Sequence, residues 1–402
     1  MSIKFMRWLD MHVGRLILTV VNFFLFFKFS KNHPKPKPEN IKKILVIKLF
    51  GMGSILLMTP MLRSLKILFP QSKITLLTHS GNLDFAYCLN DVDHVLTLEK
   101  KFLTGFLGGV FRNLIFLWKD RQDVVVDCEF FSNFTSMFSL ATLSPLRVGF
   151  HMRFMPQRNH VTHKVPINTH HHIVYAFDSL AVALGSNYRK LNSNSLSLKA
   201  PANSLSSAVF RKLNLHENSK VVAVNPNASN LSFRRRWPSE YYISLISNLA
   251  EKWSDYSFVF VGSSSEKAYV KNIIQQLRQP NIFDSSGQLD IGEYLAFLNK
   301  STLIITNDSL PVHVASAYEK DIVVFWGPES PNFYGPLNEN SLSFFENIPC
   351  SPCLVVFDSK AENGCKDNIC LKQITPEFAL EKIEKKFFTK REWEETALAE
   401  NP

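Results

Sequence analysis

Long uncharged apolar runs are what this 402-residue chain lacks first. A helix that crosses a bilayer needs about 20 consecutive apolar residues, and no stretch supplies them, which excludes a polytopic membrane protein. Glycine is also scarce, 15 residues in all. The one early glycine turn, Gly51-Met-Gly-Ser-Ile-Leu56, has no third glycine, and the strand signal after it ends at Thr78-His79 without the acidic residue that holds a ribose. A dinucleotide site is therefore poorly supported. What is present is ordinary globular composition, with 46% hydrophobic residues, so the chain is not disordered. At roughly 100 to 200 residues per domain, it should form two domains or three.

The net charge of +10 is unevenly placed. Residues 1–43 carry nine basic and two acidic residues, a net +7, and the rest of the chain is nearly neutral. No stacking motif or basic recognition helix accompanies the charge, so no nucleic-acid partner is expected. Val13 to Phe29 is apolar and Phe-rich but broken by Arg15, Thr19, Asn22 and Lys28. Such a segment suits a helix lying at the headgroup level of an anionic leaflet. A signal peptide or a core helix are the competing readings, and no small-residue cleavage site follows Phe29. His33 to Pro38 alternates Pro and Lys and reads as an extended spacer.

Beyond it, strand and helix signals alternate. Ile44–Lys48, Ile74–Thr78, Val95–Leu98, Val124–Asp127 and Arg147–Phe150 are apolar strands, with helical stretches around 83–89, 105–119 and 133–143. Residues 186–207 are rich in Ser and Asn and read as a linker. The pattern then restarts with Val221–Asn225, Phe258–Val261, Ile282–Asp284, Leu303–Thr306 and Ile322–Trp326, and helices near 238–253, 265–277, 290–299 and 310–318. The fold class is α/β, two Rossmann-like doubly wound domains facing a cleft. The segments are residues 1–40 (interfacial helix and spacer), 41–200, 201–375 with a cysteine-bearing stretch at 350–370, and a C-terminal helix over 376–402 that starts at Thr375 and Pro376 and continues to about Glu395.

Chemistry concentrates at predicted strand ends. Asn225-Pro-Asn-Ala-Ser229 precedes Arg234-Arg-Arg-Trp-Pro238, and Thr306-Asn-Asp-Ser-Leu-Pro-Val-His313 follows another strand and opens a helix. A guanidinium beside a helix start offers a diphosphate bidentate cations, backbone donors and a favourable dipole. Three arginines in a row more often make a solvated face, but these lie between a strand end and a Trp-Pro helix start.

The ordered set ILVIKLFGMGSILLMTPMLRSLKILFP, DVVVDCEFFS, RVGF, VNPNAS with RRRWP, FVFVGSSSE, ITNDSLPVHVA and VVFWGP resembles glycosyltransferase family 9, the ADP-heptose:lipopolysaccharide heptosyltransferases. The resemblance runs from about residue 42 to 376. It implies the two-domain GT-B fold and a metal-independent, inverting transfer of heptose from ADP-heptose to a lipopolysaccharide core acceptor. It also implies the donor on the C-terminal domain and the acceptor on the N-terminal one. By position in the family's motifs, Arg235 faces the donor diphosphate, Glu266 contacts the donor's sugar groups, and Asp308, Ser309 and His313 form the helix start under the nucleotide and heptose. Leu310 stands where that motif has Gly.

A second departure concerns the base. Many members carry Gly-Asp after the first strand, with the Asp as general base; here the pair is Gly53-Ser54, and a serine cannot take a proton unaided at neutral pH. Glu129 is the preferred substitute, with Asp127 as the alternative and a chain without a base as the third reading. Gly53 and Ser54 would face the acceptor. Between Glu129 and Asp178 there is no acidic residue, while Arg147, Arg153, Arg158, Lys164 and six histidines lie there. This is either a cationic wall for an acidic acceptor, led by Arg147 and Arg153, or a solvated loop.

Cys350-x2-Cys353-x11-Cys365-x4-Cys370 reads as a small structural zinc loop, as free thiols or as disulfides. No cofactor is expected for catalysis. The expected partners are a nucleotide-sugar donor, lipopolysaccharide or another lipid-linked glycan, and the inner-membrane surface on its cytoplasmic side. Transfer from a different nucleotide sugar to another surface glycan, and a degenerate binding relative, are the alternatives.

Overall fold

Two sets of short strands, most of them built from Val, Ile, Leu and Phe, run wholly parallel in the computed structural model. It describes residues 10–29, 36–99, 103–152, 155, 158–228, 232–354, 365 and 367–388. Strands buried on both faces need no alternation of polar residues, which is why they read as continuous apolar runs. The chain divides into two units, residues 1–199 and 200–402.

Unit 1 holds β1 (Lys43–Ile47), β2 (Lys73–His79), β3 (His94–Leu98), β4 (Val124–Asp127), β5 (Leu146–Phe150) and β6 (His163–Val165) in the order β3-β2-β1-β4-β5-β6. Its helices are α1 (Arg15–Phe29), α2 (Met52–Leu57), α3 (Thr59–Leu68), α4 (Leu83–Tyr87), α5 (Leu103–Lys119), α6 (Asn133–Ala141) and α7 (Ile173–Leu184). The chain after the glycine turn forms two helices, divided at Met58 with Pro60 in the first turn of α3. A wider π-helical turn, Asp10–Gly14, leads into α1.

Unit 2 repeats the plan. β7 (Lys220–Asn225), β8 (Tyr256–Phe260), β9 (Ile282–Asp284), β10 (Leu303–Asn307), β11 (Asp321–Trp326) and β12 (Ser341–Phe345) take the order β12-β11-β10-β7-β8-β9. Helices α8 (Asn203–Lys212), α9 (Ser239–Lys252), α10 (Lys267–Ile274), α11 (Ile291–Lys300), α12 (Leu310–Ala317), α13 (Pro331–Tyr334), α14 (Ile369–Lys372) and α15 (Pro376–Ile383) surround it. Counted within each unit, both sheets read 3-2-1-4-5-6, the doubly wound order of nucleotide-binding folds.

Trp237 anchors the second core. Its indole stacks on Phe325 at 4.0 Å and donates to the Ile374 carbonyl, and its main-chain N–H donates to Asn307. Helix α15 begins where Thr375 accepts from Phe378 N and passes into a π-helical turn over Glu384–Phe388. The expected continuation to Glu395 lies outside the described residues, as does the first half of the Pro/Lys spacer. No helix among the described residues is long and apolar enough to cross a membrane.

Candidate functional site

In a doubly wound sheet, ligands enter at the carboxyl edge where the strand order reverses. In unit 1 that point lies between β1 and β4. Leaving β1, the chain passes Lys48, Leu49 and Phe50 to Gly51, whose φ of +83° suits glycine alone and turns the backbone sharply into α2. Leaving β4, it passes Asp127 and Cys128 to Glu129. The two exits are tied together. Glu129 Oε1 accepts the N–H groups of Leu49 (2.8 Å) and Phe50 (3.2 Å), and Oε2 lies 2.9 Å from the buried ammonium of Lys48. Gly53 and Ser54 lie half-buried in the first turn of α2, and the Ser54 hydroxyl folds back over Gly51.

Asp127 points elsewhere. Its Oδ1 accepts from Glu129 N, and its Oδ2 takes Arg158 Nη2 at 2.8 Å and the Thr135 hydroxyl at 3.0 Å. It is wholly enclosed. Burial pushes its carboxyl up to about 6, against the pull of Arg158. Arg158 is just as enclosed and also binds the Ser136 hydroxyl and the Phe150 and Ser132 carbonyls.

In unit 2 the order reverses between β7 and β10, and there the donor candidates collect. Arg235 Nη1 donates to Asp308 Oδ2 at 3.0 Å, both side chains nearly buried. Burial opposes the charge of Arg235, but the carboxylates of Asp308 and Glu329 outweigh it and hold the guanidinium above its ordinary value. The neighbouring arginines differ: Arg236 lies over the Phe233 and Tyr269 rings, and Arg234 offers its carbonyl to Asn368. With Trp237 plugged into the core, only the middle arginine is delivered to Asp308.

Ser309 opens α12 without capping it; its hydroxyl instead meets Asn225 Nδ2 (2.8 Å) and the Thr306 hydroxyl (3.1 Å). His313 is buried within α12, and Leu310 is half-buried at its first position. Glu266 sits at the start of α10 with its carboxylate on Ser263 N and Oγ. Three buried asparagines knit these loops. Asn225 bridges to Thr306 and Ser309, Asn227 to Asn225 and the Val261 carbonyl, and Asn307 to the Pro226 and Asn227 carbonyls. Gly262 is needed here, because a Cβ would lie 2.9 Å from the Asn227 amide nitrogen.

The family model for glycosyltransferase family 9 (heptosyltransferase) matches residues 133–362, more than half of the chain. The chain belongs to this family. A lipooligosaccharide heptosyltransferase 2 of Campylobacter jejuni subsp. jejuni is 28% identical over 204 residues, covering 48% of this chain and 60% of the relative. The chain thus spans about 60% of the length of these Campylobacter relatives. Among solved structures, a family 9 glycosyltransferase of Veillonella parvula matches with a TM-score of 0.72 at 20% identity, over 89% of this chain and all of that one. The ADP-heptose lipopolysaccharide heptosyltransferase II of E. coli matches with a TM-score of 0.70 at 19% identity, over 87% of this chain and 99% of that one. At such identities the likeness is one of fold, and the fold is GT-B.

One expectation is corrected within this family 9 chain. Arg147 does not line an acceptor wall: β5 is buried on both faces, so its guanidinium turns inward onto the Ser144 and His160 carbonyls, and burial lowers its pKa. Arg153 lies outside the described residues. The four cysteines read as a zinc loop, free thiols or disulfides are not disulfide-bonded: Cys350 is exposed, Cys353 and Cys365 are half-buried, and Cys370 is buried against Gly327 beside Leu371. Among the described residues no group of three or more His, Cys, Asp or Glu is arranged to hold a metal ion.

The sequence motifs leave out Lys48 and Glu329; Arg158 stood only in the cationic stretch, and Asn225, Asn227 and Asn307 only within their strand-end motifs. Lys48 carried a usable signal, a lone charge directly after a buried apolar strand.

Proposed function

We propose that this chain is an inverting heptosyltransferase that moves heptose from ADP-heptose to a lipid-borne lipopolysaccharide core, with the acceptor activated in unit 1 and the donor held in unit 2. The observation that carries the reading is the Glu129 carboxylate at the unit 1 switch point. A carboxylate offers about four lone-pair sites; Leu49 N, Phe50 N and Lys48 take three, which orients the group and leaves one for an acceptor hydroxyl. The acceptor oxygen attacks the anomeric carbon, its proton passes to Glu129, and the bond to the diphosphate breaks so that ADP leaves. Asp127 cannot serve in this way, since Arg158 and Thr135 enclose it; it acts as a positioning residue for the loop that carries Glu129. Gly53 and Ser54 flank the acceptor hydroxyl.

In unit 2, Arg235, steered by Asp308, and the main-chain N–H groups at the start of α12 beside Ser309 receive the diphosphate, with His313 and Glu266 toward nucleotide and sugar. With these donors supplied by the protein, turnover is expected to persist in EDTA. The chain works at the cytoplasmic face of the inner membrane, with α1 on the lipid surface. Leu310, bulkier than the glycine of the family motif, favours as second reading a different nucleotide sugar.

Turnover of ADP-heptose with lipopolysaccharide from a core-truncated strain tests the assignment, alongside thermal shift with ADP, UDP and GDP. Stabilisation by ADP alone with heptose transfer supports it. Preference for UDP or GDP moves the donor to the second reading, and no nucleotide response discards transferase activity.

A further inference from the structure

Helix α5 carries the same signature as α1 in a place that no role described so far uses. One face is core: Leu114 and Leu117 are buried with Leu98 and Phe138, and Phe106 and Val110 pack against them. The opposite face is apolar as well. Leu107, Phe111, Ile115 and Trp118 recur at helical spacing (i, i+4, i+8, i+11) and are 44 to 61% exposed, with Phe116 beside them. A helix that is apolar all round belongs inside a protein or against lipid, and bulky exposed side chains in one stripe mark a contact surface.

The two helices brace the same element. Asp10, in the turn that leads into α1, accepts Asn133 N and Phe134 N at the start of α6 (3.1 and 2.6 Å). The Phe134 ring in turn rests 5.1 Å from Phe106 of α5, and Trp118 Nε1 donates to the Ala141 carbonyl at the far end of α6. On α1, Leu16, Ile17, Val20 and Phe23 are exposed, Phe23 at 77%.

Charge identifies the occupant. From Lys100 to Lys119 there are four basic residues and no acidic one, and from Met11 to Pro38 there is again no Asp or Glu. Exposed Arg112 and Lys119 accompany the stripe. Apolar side chains among cations and no anions complement an anionic bilayer surface, whereas lysine is depleted where proteins dock on proteins. We propose that the outer stripe of α5 (Leu107, Phe111, Ile115, Phe116 and Trp118) is a second contact with an anionic lipid surface, beside α1.

The full chain is pelleted with vesicles of phosphatidylethanolamine and phosphatidylglycerol, and with phosphatidylcholine vesicles for comparison. Wild type should prefer the anionic vesicles and lose affinity in high salt. Phe111→Ser with Ile115→Ser should weaken partitioning by about tenfold while keeping the ADP thermal shift; Leu16→Ser with Phe23→Ser tests α1 separately. Should the α5 double variant misfold, fluorescence decides: the emission component lost in Trp118→Phe must be quenched by lipids brominated in their acyl chains. Wild-type pelleting of a folded α5 double variant, no quenching of the Trp118 component, or a stripe that changes only the oligomeric mass would each overturn the proposal.

Discussion

The helices that follow the fourth strand of each sheet, α6 and α12, occupy equivalent places and start differently. At α6 the N-terminus is saturated by the chain itself: Ser132 accepts from Thr135 N, and Asp10 accepts from Asn133 N and Phe134 N. Burial pushes the Asp10 carboxyl up and those N–H groups pull it back. At α12 the hydroxyl of Ser309 is turned to Asn225 and Thr306, and the carboxylate of Asp308 is drawn onto Arg235. An exposed helix start attracts anions. Unit 1 meets that demand with an internal carboxylate; in unit 2 no side chain caps the start of α12, and Arg235 adds a cation beside it. Under the proposed assignment, the shared topology supplies two switch points, and the uncapped one is left for the donor diphosphate.

That division is most exposed at its base. Glu129→Gln preserves size and should lower turnover by about 10² to 10⁴, while the ADP-induced thermal shift stays at the wild-type value; near-normal turnover would leave unit 1 without its assigned role. Arg235→Ala should behave in the opposite sense, abolishing the ADP shift. It also strands Asp308 as a buried charge, at a cost of about 3 to 5 kcal/mol in denaturant unfolding. An ADP response that survives the substitution would separate Arg235 from the donor.

The enclosed Asp127 gives a third contrast, in pH dependence. Its carboxyl is raised from the ordinary 3.8 to about 6, so between those values the native state holds a proton that the unfolded chain has released. The stability contributed by this group is complete below about 3.8 and lost as pH rises through 6, a decline on the order of 3 kcal/mol. Asp127→Asn should flatten that limb of the stability profile. If the limb persists in Asp127→Asn, another group produces it.

What could be read in advance follows from this chemistry. Continuous apolar strands such as Val124–Asp127 and the turn at Gly51 announce themselves, because burial on both faces and a positive φ each restrict residue choice. β6 and β12 escaped notice since edge strands, three residues long or partly exposed, need no such run. Helix α7 also went unread, since nearly continuous burial leaves it without a polar face to mark the period. Composition locates charge but not its direction: Arg147 and Arg158 looked like a surface for an acidic ligand, yet both hold main-chain carbonyls in the interior. Lys48 and Glu129 lie 81 positions apart in the chain, and only the parallel pairing of β1 with β4 makes them neighbours.

The smallest test separates the two helix starts directly. Ser132→Ala removes a cap and should cost about 1 kcal/mol of stability, with the Michaelis constant for donor unchanged, because that hydroxyl serves only its own helix. Ser309→Ala removes a hydroxyl that caps nothing, so the loss should appear mainly as a raised Michaelis constant for donor and a weaker ADP shift, with a smaller change in unfolding midpoint. Were both serines to act on stability alone, α12 would be a structural start like α6, and the assignment of the anion to unit 2 would rest on Arg235 by itself.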